Sequence, residues 1–103
     1  MDAKGYALAS RMLVDGKMEV GFMYRDEPDG DFSGWCFFSG KEPDGYEDDP
    51  DNIAIYSLDT IIGIDASVKP YLGSVPGMAF ERAEGHSFYN AVDGFLDGRN
   101  GDA

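Results

Sequence analysis

The chain has 103 residues, and its 20 Asp and Glu against 8 Lys and Arg leave a formal net charge of −12. That length supports one hydrophobic core and excludes two catalytic domains. The charge repels phosphate backbones, and with no basic patch in the sequence it argues against DNA or RNA as partners.

Seven Phe, six Tyr and one Trp supply large side chains for the core, so the chain is expected to fold despite its charge. The single cysteine, Cys36, excludes an intramolecular disulfide and favours a reducing cytosol. No run approaches the roughly 20 apolar residues that cross a bilayer, and Met1 to Lys4 lacks a signal-peptide design. A cytoplasmic protein without membrane contact is the expectation.

In chain order, Tyr6 to Val14 and Met18 to Arg25 flank Asp15-Gly16-Lys17. Asp-Gly between apolar runs predicts an opening hairpin, because such turns need positive φ. In the second arm Met18, Val20, Phe22 and Tyr24 fall on one face and Glu19, Gly21, Met23 and Arg25 on the other. That is the period of two of a strand with one face on the core. Residues 26–33 read as a loop around the turn Asp29-Gly30. Gly34 to Gly40, with Trp35, Phe37 and Phe38, reads as a strand apolar on both sides and central in the sheet. An acidic loop follows through Asn52, then a short strand Ile53 to Tyr56 and an irregular or single-turn helical connection over residues 57–62. Asp65 is expected to cap a short helix over Ala66 to Leu72, limited by Pro70 and ended by Gly73. Met78 to Arg82 and His86 to Tyr89 predict a closing hairpin. Residues 1–92 are expected to form the single domain, and residues 93–103 a mobile polar tail.

The sum is an α+β fold: a mostly antiparallel, partly curled sheet, roughly five- or six-stranded, with one or two short helices and no βαβ pattern.

Catalytic chemistry finds little support. A Ser-His-Asp or Cys-His set would have to use His86, the one histidine, which sits beside a turn with no partner signature. Cys36 lies in the most apolar segment, where a thiol is inert core filling. Zinc would need more ligands than Cys36 and His86. Asp26, Glu27, Asp29 and Asp31 surround Gly30, but Pro28 and the lack of a downstream Glu break the EF-hand register. No glycine-rich loop joins a strand to a helix as phosphate binding requires. The sequence therefore assigns no catalytic residue, no metal and no cofactor.

Charge distribution is more informative. Ten of the 20 acids lie within residues 26–51, opposed there only by Lys41. If both loops lie at one end of the sheet, they form a negative patch that steers cationic partners. The competing reading is that these acids only keep the loops solvated. Phe32, Trp35 and Tyr46, interleaved with the acids, offer the aromatic anchors on which interface energy usually rests. The candidate protein-binding residues are Asp29, Asp31, Phe32, Tyr46, Glu47, Asp48, Asp49 and Asp51.

Val20-Gly21-Phe22-Met23-Tyr24-Arg25-Asp26-Glu27-Pro28, Asp31-Phe32-Ser33-Gly34-Trp35-Cys36-Phe37-Phe38-Ser39-Gly40, Asp49-Pro50-Asp51-Asn52-Ile53 and Ala79-Phe80-Glu81-Arg82 occur in that order. Together they resemble the immunity protein 33 family over about residues 7 to 89, leaving the Gly-rich segment after Asp93 outside the match. The resemblance implies a small intracellular bacterial protein that neutralises a cognate toxin, and it brings no catalytic or binding residue with it. The leading expectation is a stoichiometric protein-binding module that covers a basic surface on a toxin with loops 26–33 and 41–52. The alternative is a housekeeping or regulatory domain without a toxin, binding a protein or peptide through a sheet edge. Monomer and weak dimer both remain open; an enzyme ranks third, for want of a nucleophile and base.

Overall fold

Ser10 both ends the first strand, β1 (Tyr6–Ser10), and starts the first helix, α1 (Arg11–Asp15). Its Oγ accepts the Leu13 amide at 3.1 Å, satisfying one of the unpaired donors of a helix N-terminus. The helix closes in a Schellman arrangement, in which Met18 N–H donates to the Leu13 carbonyl at 2.9 Å and Lys17 N–H to the Val14 carbonyl at 3.2 Å. Such a cap needs one residue in the left-handed region. Here that residue is Lys17, at φ 50°, one position after the available glycine. Lys17→Gly is expected to stabilise the fold by about 0.5–1 kcal/mol, relief of the left-handed cost outweighing the extra chain entropy. A higher urea midpoint at unchanged m-value is the check.

The computed structural model describes residues 5–82. After α1 come β2 (Phe22–Arg25), β3 (Phe32–Phe38), β4 (Ile53–Ser57), α2 (Leu58–Ile64) and β5 (Ala79–Glu81), with 3-10 segments at Tyr46–Asp48, Pro50–Asn52 and Ala66–Tyr71. The five strands form one sheet in the order β4-β1-β3-β2-β5. β1 and β3 run parallel; the other three pairs are antiparallel. The architecture is α+β, with an open mixed sheet.

One face of the sheet carries the core. Cross-strand register puts Ala9, Phe37, Met23 and Phe80 in one row. These pack with Ala7 and Trp35 beneath Leu13 of α1, Leu58 and Ile61 of α2, and Val68. The small side chains at Ala7 and Ala9 leave room for the helices above them. On the opposite face Ile55, Leu8, Cys36 and Tyr24 form a row, and Tyr24 stacks against Phe38 with ring centroids 6.4 Å apart.

The expected opening hairpin does not form. Residues 11–15 are helical, and β3 lies between β1 and β2. Asp15-Gly16 ends a helix here because Ser10 offers a cap and Leu13 a buried apolar contact. The second arm begins only at Phe22, and Met23 rather than Phe22 or Tyr24 faces the helices. β3 is central and buried from Gly34 to Phe38, as its composition predicted. Where a connection is expected over residues 57–62, Leu58 to Ile62 belong to a regular helix, α2, and Ser57, the last residue of β4, caps it with its Oγ accepting the Thr60 amide at 3.1 Å. The helix after Asp65 is a 3-10 segment capped by that carboxylate through the Ser67 amide at 3.1 Å. β5 falls within the expected first arm, Met78 to Arg82; the turn and second arm of the expected closing hairpin, His86 among them, and residues 93–103 lie outside the described residues.

Candidate protein-binding site

The acidic segment between β3 and β4 is fastened to the N-terminus of α1. Glu42 does most of this. Its Oε2 accepts Ser10 Oγ at 2.6 Å, Ser39 N at 2.8 Å and Ser39 Oγ at 2.9 Å, and its Oε1 accepts Gly40 N at 3.0 Å. Ser10 in turn caps α1, so one carboxylate ties the end of β3 to the end of β1. Tyr46 adds a second tie, its hydroxyl accepting the Met12 amide at 3.0 Å. Arg11 adds a third, with Nε donating to the Asp51 carbonyl. Within the segment, Asn52 Nδ2 donates to the Tyr46 carbonyl at 2.9 Å and Asp49 Oδ1 accepts the Asp51 amide at 3.0 Å. On this frame Asp44, Asp48, Asp49 and Asp51 are exposed, and Glu47 sits in the 3-10 turn Tyr46–Asp48.

Burial works to raise the Glu42 pKa, but the hydrogen bonds from Ser10 and Ser39 outweigh it and hold the carboxyl below its ordinary value. A group depressed in the folded state stabilises fully above its unfolded pKa, about 4.3 for Glu, and loses that contribution as pH falls through the folded value. Glu42→Gln is therefore expected to lower stability at pH 7 by about 1–3 kcal/mol, since charge-assisted bonds are replaced by an amide that matches fewer donors. The difference from the parent protein should shrink below about pH 4. Urea midpoints measured across the acid range give both numbers.

The other acidic loop is built differently. Asp29 and Phe32 exchange backbone hydrogen bonds of 3.0 and 2.9 Å around Gly30-Asp31. The Asp31 carbonyl accepts Tyr6 N–H at 2.8 Å, and the Phe32 ring lies against Tyr6 at 5.4 Å. Asp29 and Asp31 are exposed; Phe32 is half-buried. This loop precedes β3 and the 42–52 segment follows it, so the two leave opposite ends of a seven-residue strand, about 20 Å apart. The structure thus gathers Tyr46, Glu47, Asp48, Asp49 and Asp51 at one end of the sheet and Asp29, Asp31 and Phe32 at the other. The condition for one concentrated patch, both loops at the same end, is not met.

Residues that carry the family resemblance are occupied with the scaffold. Trp35 Nε1 donates to the Leu72 carbonyl at 3.1 Å, and its ring stacks with Phe37 at 5.9 Å. Arg25 lies 5.9 Å from the centroid of that indole and donates through Nε to the Ser33 carbonyl and through Nη1 to the Ser74 carbonyl, at 2.9 and 2.7 Å. Arg82 donates from Nε and Nη2 to the Val20 carbonyl at 3.1 and 2.7 Å and forms an ion pair with Asp65. Asp65 also accepts Val20 N–H at 2.9 Å. Burial raises the Asp65 pKa, but bonds from Ser67, Val20 and Arg82 outweigh it and hold that carboxyl below its usual range.

Cys36 is buried, and burial pushes its thiol pKa up. A groove of about 370 Å³ lies between Met18–Gly21 and Ser39–Lys41 with Arg82 in its lining. None of the candidate acids lines it. Among the described residues no group of three His, Cys, Asp or Glu side chains is placed to hold a metal, and no helix is long and apolar enough to cross a membrane.

Sequence reasoning missed Glu42, Ser10 and Arg11, the residues that hold the segment in place. Ser10 before an apolar run is a readable cap signal; its link to Glu42 spans 32 positions and leaves no local trace. No curated protein and no solved structure matches the chain. The model of the immunity protein Imm33 domain matches residues 7–92, which takes in all five strands and both helices except the first residue of β1, and the chain accordingly belongs to the Imm33 family of immunity proteins.

Proposed function

We propose that this protein neutralises a cognate toxin in the cytosol by binding it stoichiometrically, with the acidic segment 42–52 facing a basic surface on the toxin. Family membership supports a binding role directed at a toxin. The observation that carries the finer reading is the fastening of that segment: Glu42, Tyr46 and Arg11 hold its backbone while Asp44, Asp48, Asp49 and Asp51 point their charge outward. Charge held in place before contact costs little further ordering on binding and accelerates encounter with a cation. Binding without chemistry is consistent with the buried, unactivated Cys36. Asp29, Asp31 and Phe32, at the far end of β3, belong to the interface only if the partner spans the length of the sheet.

The test is mixing the purified protein with the product of a toxin gene adjacent to its own. The expected result is a one-to-one complex by light scattering and loss of toxin activity at equimolar protein. A toxin that stays active and unbound, or a solitary gene whose product engages a neutral partner, would favour the housekeeping alternative.

A further inference from the structure

β4 is the terminal strand of the sheet, and among the described residues only β1 pairs with it. Leu58 N–H donates to the Gly5 carbonyl, which makes that pair a hydrogen-bonded one. Hydrogen-bonded and non-bonded pairs alternate along an antiparallel ladder, so Tyr56 and Ala54 turn their main chain toward β1 while Ile53, Ile55 and Ser57 turn theirs outward. The Ile53 N–H is used by the Pro50 carbonyl. The Ile55 N–H and carbonyl, the Ser57 N–H and the Ile53 carbonyl therefore face away from the sheet.

Natural edges are commonly blunted by lysine, proline, a bulge or an inward charge. Ile-Ala-Ile-Tyr-Ser has no lysine, proline or other charge, and its register with β1 runs unbroken. Ile55 is 64 % exposed. Acids flank the strand: Asp49 and Asp51 before it, Asp59 just after it in the first turn of α2. A second copy of this chain would bring the same acids and another −12 of charge, which opposes edge-to-edge pairing. An extended cationic segment meets complementary charge at both ends.

We propose that the β4 edge receives an extended, lysine- or arginine-bearing segment of the partner protein as a sixth strand. This rests on the toxin-binding reading and names how the partner would be held: main-chain hydrogen bonds at Ile55 and Ser57, an apolar contact at Ile55, and cations set against Asp49, Asp51 and Asp59.

The probe is a synthetic strand peptide alternating lysine and valine, added to the isotopically labelled full chain, with a glutamate-valine peptide as control. The lysine peptide is expected to slow amide exchange at Ile55 and Ser57 and to shift their resonances, and the glutamate peptide to do neither. Ile55→Pro removes an outward donor without touching the β1 ladder and is expected to weaken the lysine peptide about tenfold. Ile55→Lys, which keeps the donor and adds a repelling charge, is expected to weaken it as well, so the proposal stays testable if the proline variant does not fold. Equal response to both peptides, shifts confined to other strands, or concentration-dependent dimerisation that protects Ile55 without peptide would overturn it. Full toxin binding by folded Ile55→Pro and Ile55→Lys would remove the edge and leave the neutralisation reading intact. Peptide binding at Ile55 and Ser57 without any toxin complex would remove that reading and leave the edge.

Discussion

Gly34→Ala is expected to destabilise the protein by about 3 kcal/mol or more. Gly34 sits at φ +90°, where an L side chain is strained, and a Cβ there would overlap the Asp26 carbonyl oxygen. That oxygen belongs to backbone that cannot move freely, because the Asp26 amide donates to the Gly34 carbonyl at 2.7 Å. The glycine also lies where β3 spends four residues against two of β1, between the Tyr6–Phe32 and Leu8–Cys36 pairs. Such an irregularity bends a central strand and sets which face Trp35 and Phe37 present to the helices. A domain of this size is stable by only about 5–15 kcal/mol, so the substitution removes a large share. Urea unfolding followed by Trp35 fluorescence measures it; a loss below about 1 kcal/mol would show that the strand has slack that the close contact denies it.

Arg82→Met is expected to cost about 3–5 kcal/mol, the usual result of breaking one side of a buried ion pair. The Arg82 and Asp65 side chains are only 7 % and 10 % exposed. Removing the guanidinium leaves the Asp65 carboxylate with the Val20 and Ser67 donors alone and takes two donors from the Val20 carbonyl. Those remaining donors place the effect toward the lower end of the range. Because the folded Asp65 pKa is depressed, the pair's contribution is complete above the unfolded value of about 3.9 and is lost as pH falls through the folded one. The gap between parent and Arg82→Met should therefore narrow in strong acid to the part that comes from the Val20 carbonyl's lost donors. Asp65→Asn with Arg82→Met separates the roles: if the double variant is more stable than Arg82→Met alone, the cost lies in the stranded carboxylate.

What could be read from the sequence was what local chemistry determines. β3 announced itself by aromatics on both sides between two glycines, and the segment after Asp65 by a capping carboxylate and a helix-limiting Pro70. The turn at Asp29-Gly30 followed from glycine's freedom at positive φ. α1 was missed because Asp15-Gly16 between apolar runs looks the same whether it turns a hairpin or ends a five-residue helix; Ser10 and the buried Leu13 decide the matter, together with a left-handed Lys17 that residue preferences argue against. The parallel pairing of β1 with β3 has no local signature at all, since it depends on β3 being inserted between β1 and β2. Of the candidate site, the charge was legible, but its placement was not. The ties from Glu42 to Ser10, Tyr46 to Met12 and Arg11 to Asp51 each span more than thirty residues. The separation of the two acidic loops is likewise set by the direction of β3 rather than by anything within either loop.

The claim that the 42–52 segment steers a basic partner is tested most directly by the association rate constant with the toxin, measured by stopped flow against ionic strength. The parent protein is expected to associate fast at low salt and to slow steeply as salt is added. The combined Asp48→Asn, Asp49→Asn and Asp51→Asn variant should associate about tenfold more slowly at low salt, with dissociation nearly unchanged and the fold intact. A rate that is flat in salt and the same in the variant would contradict the account.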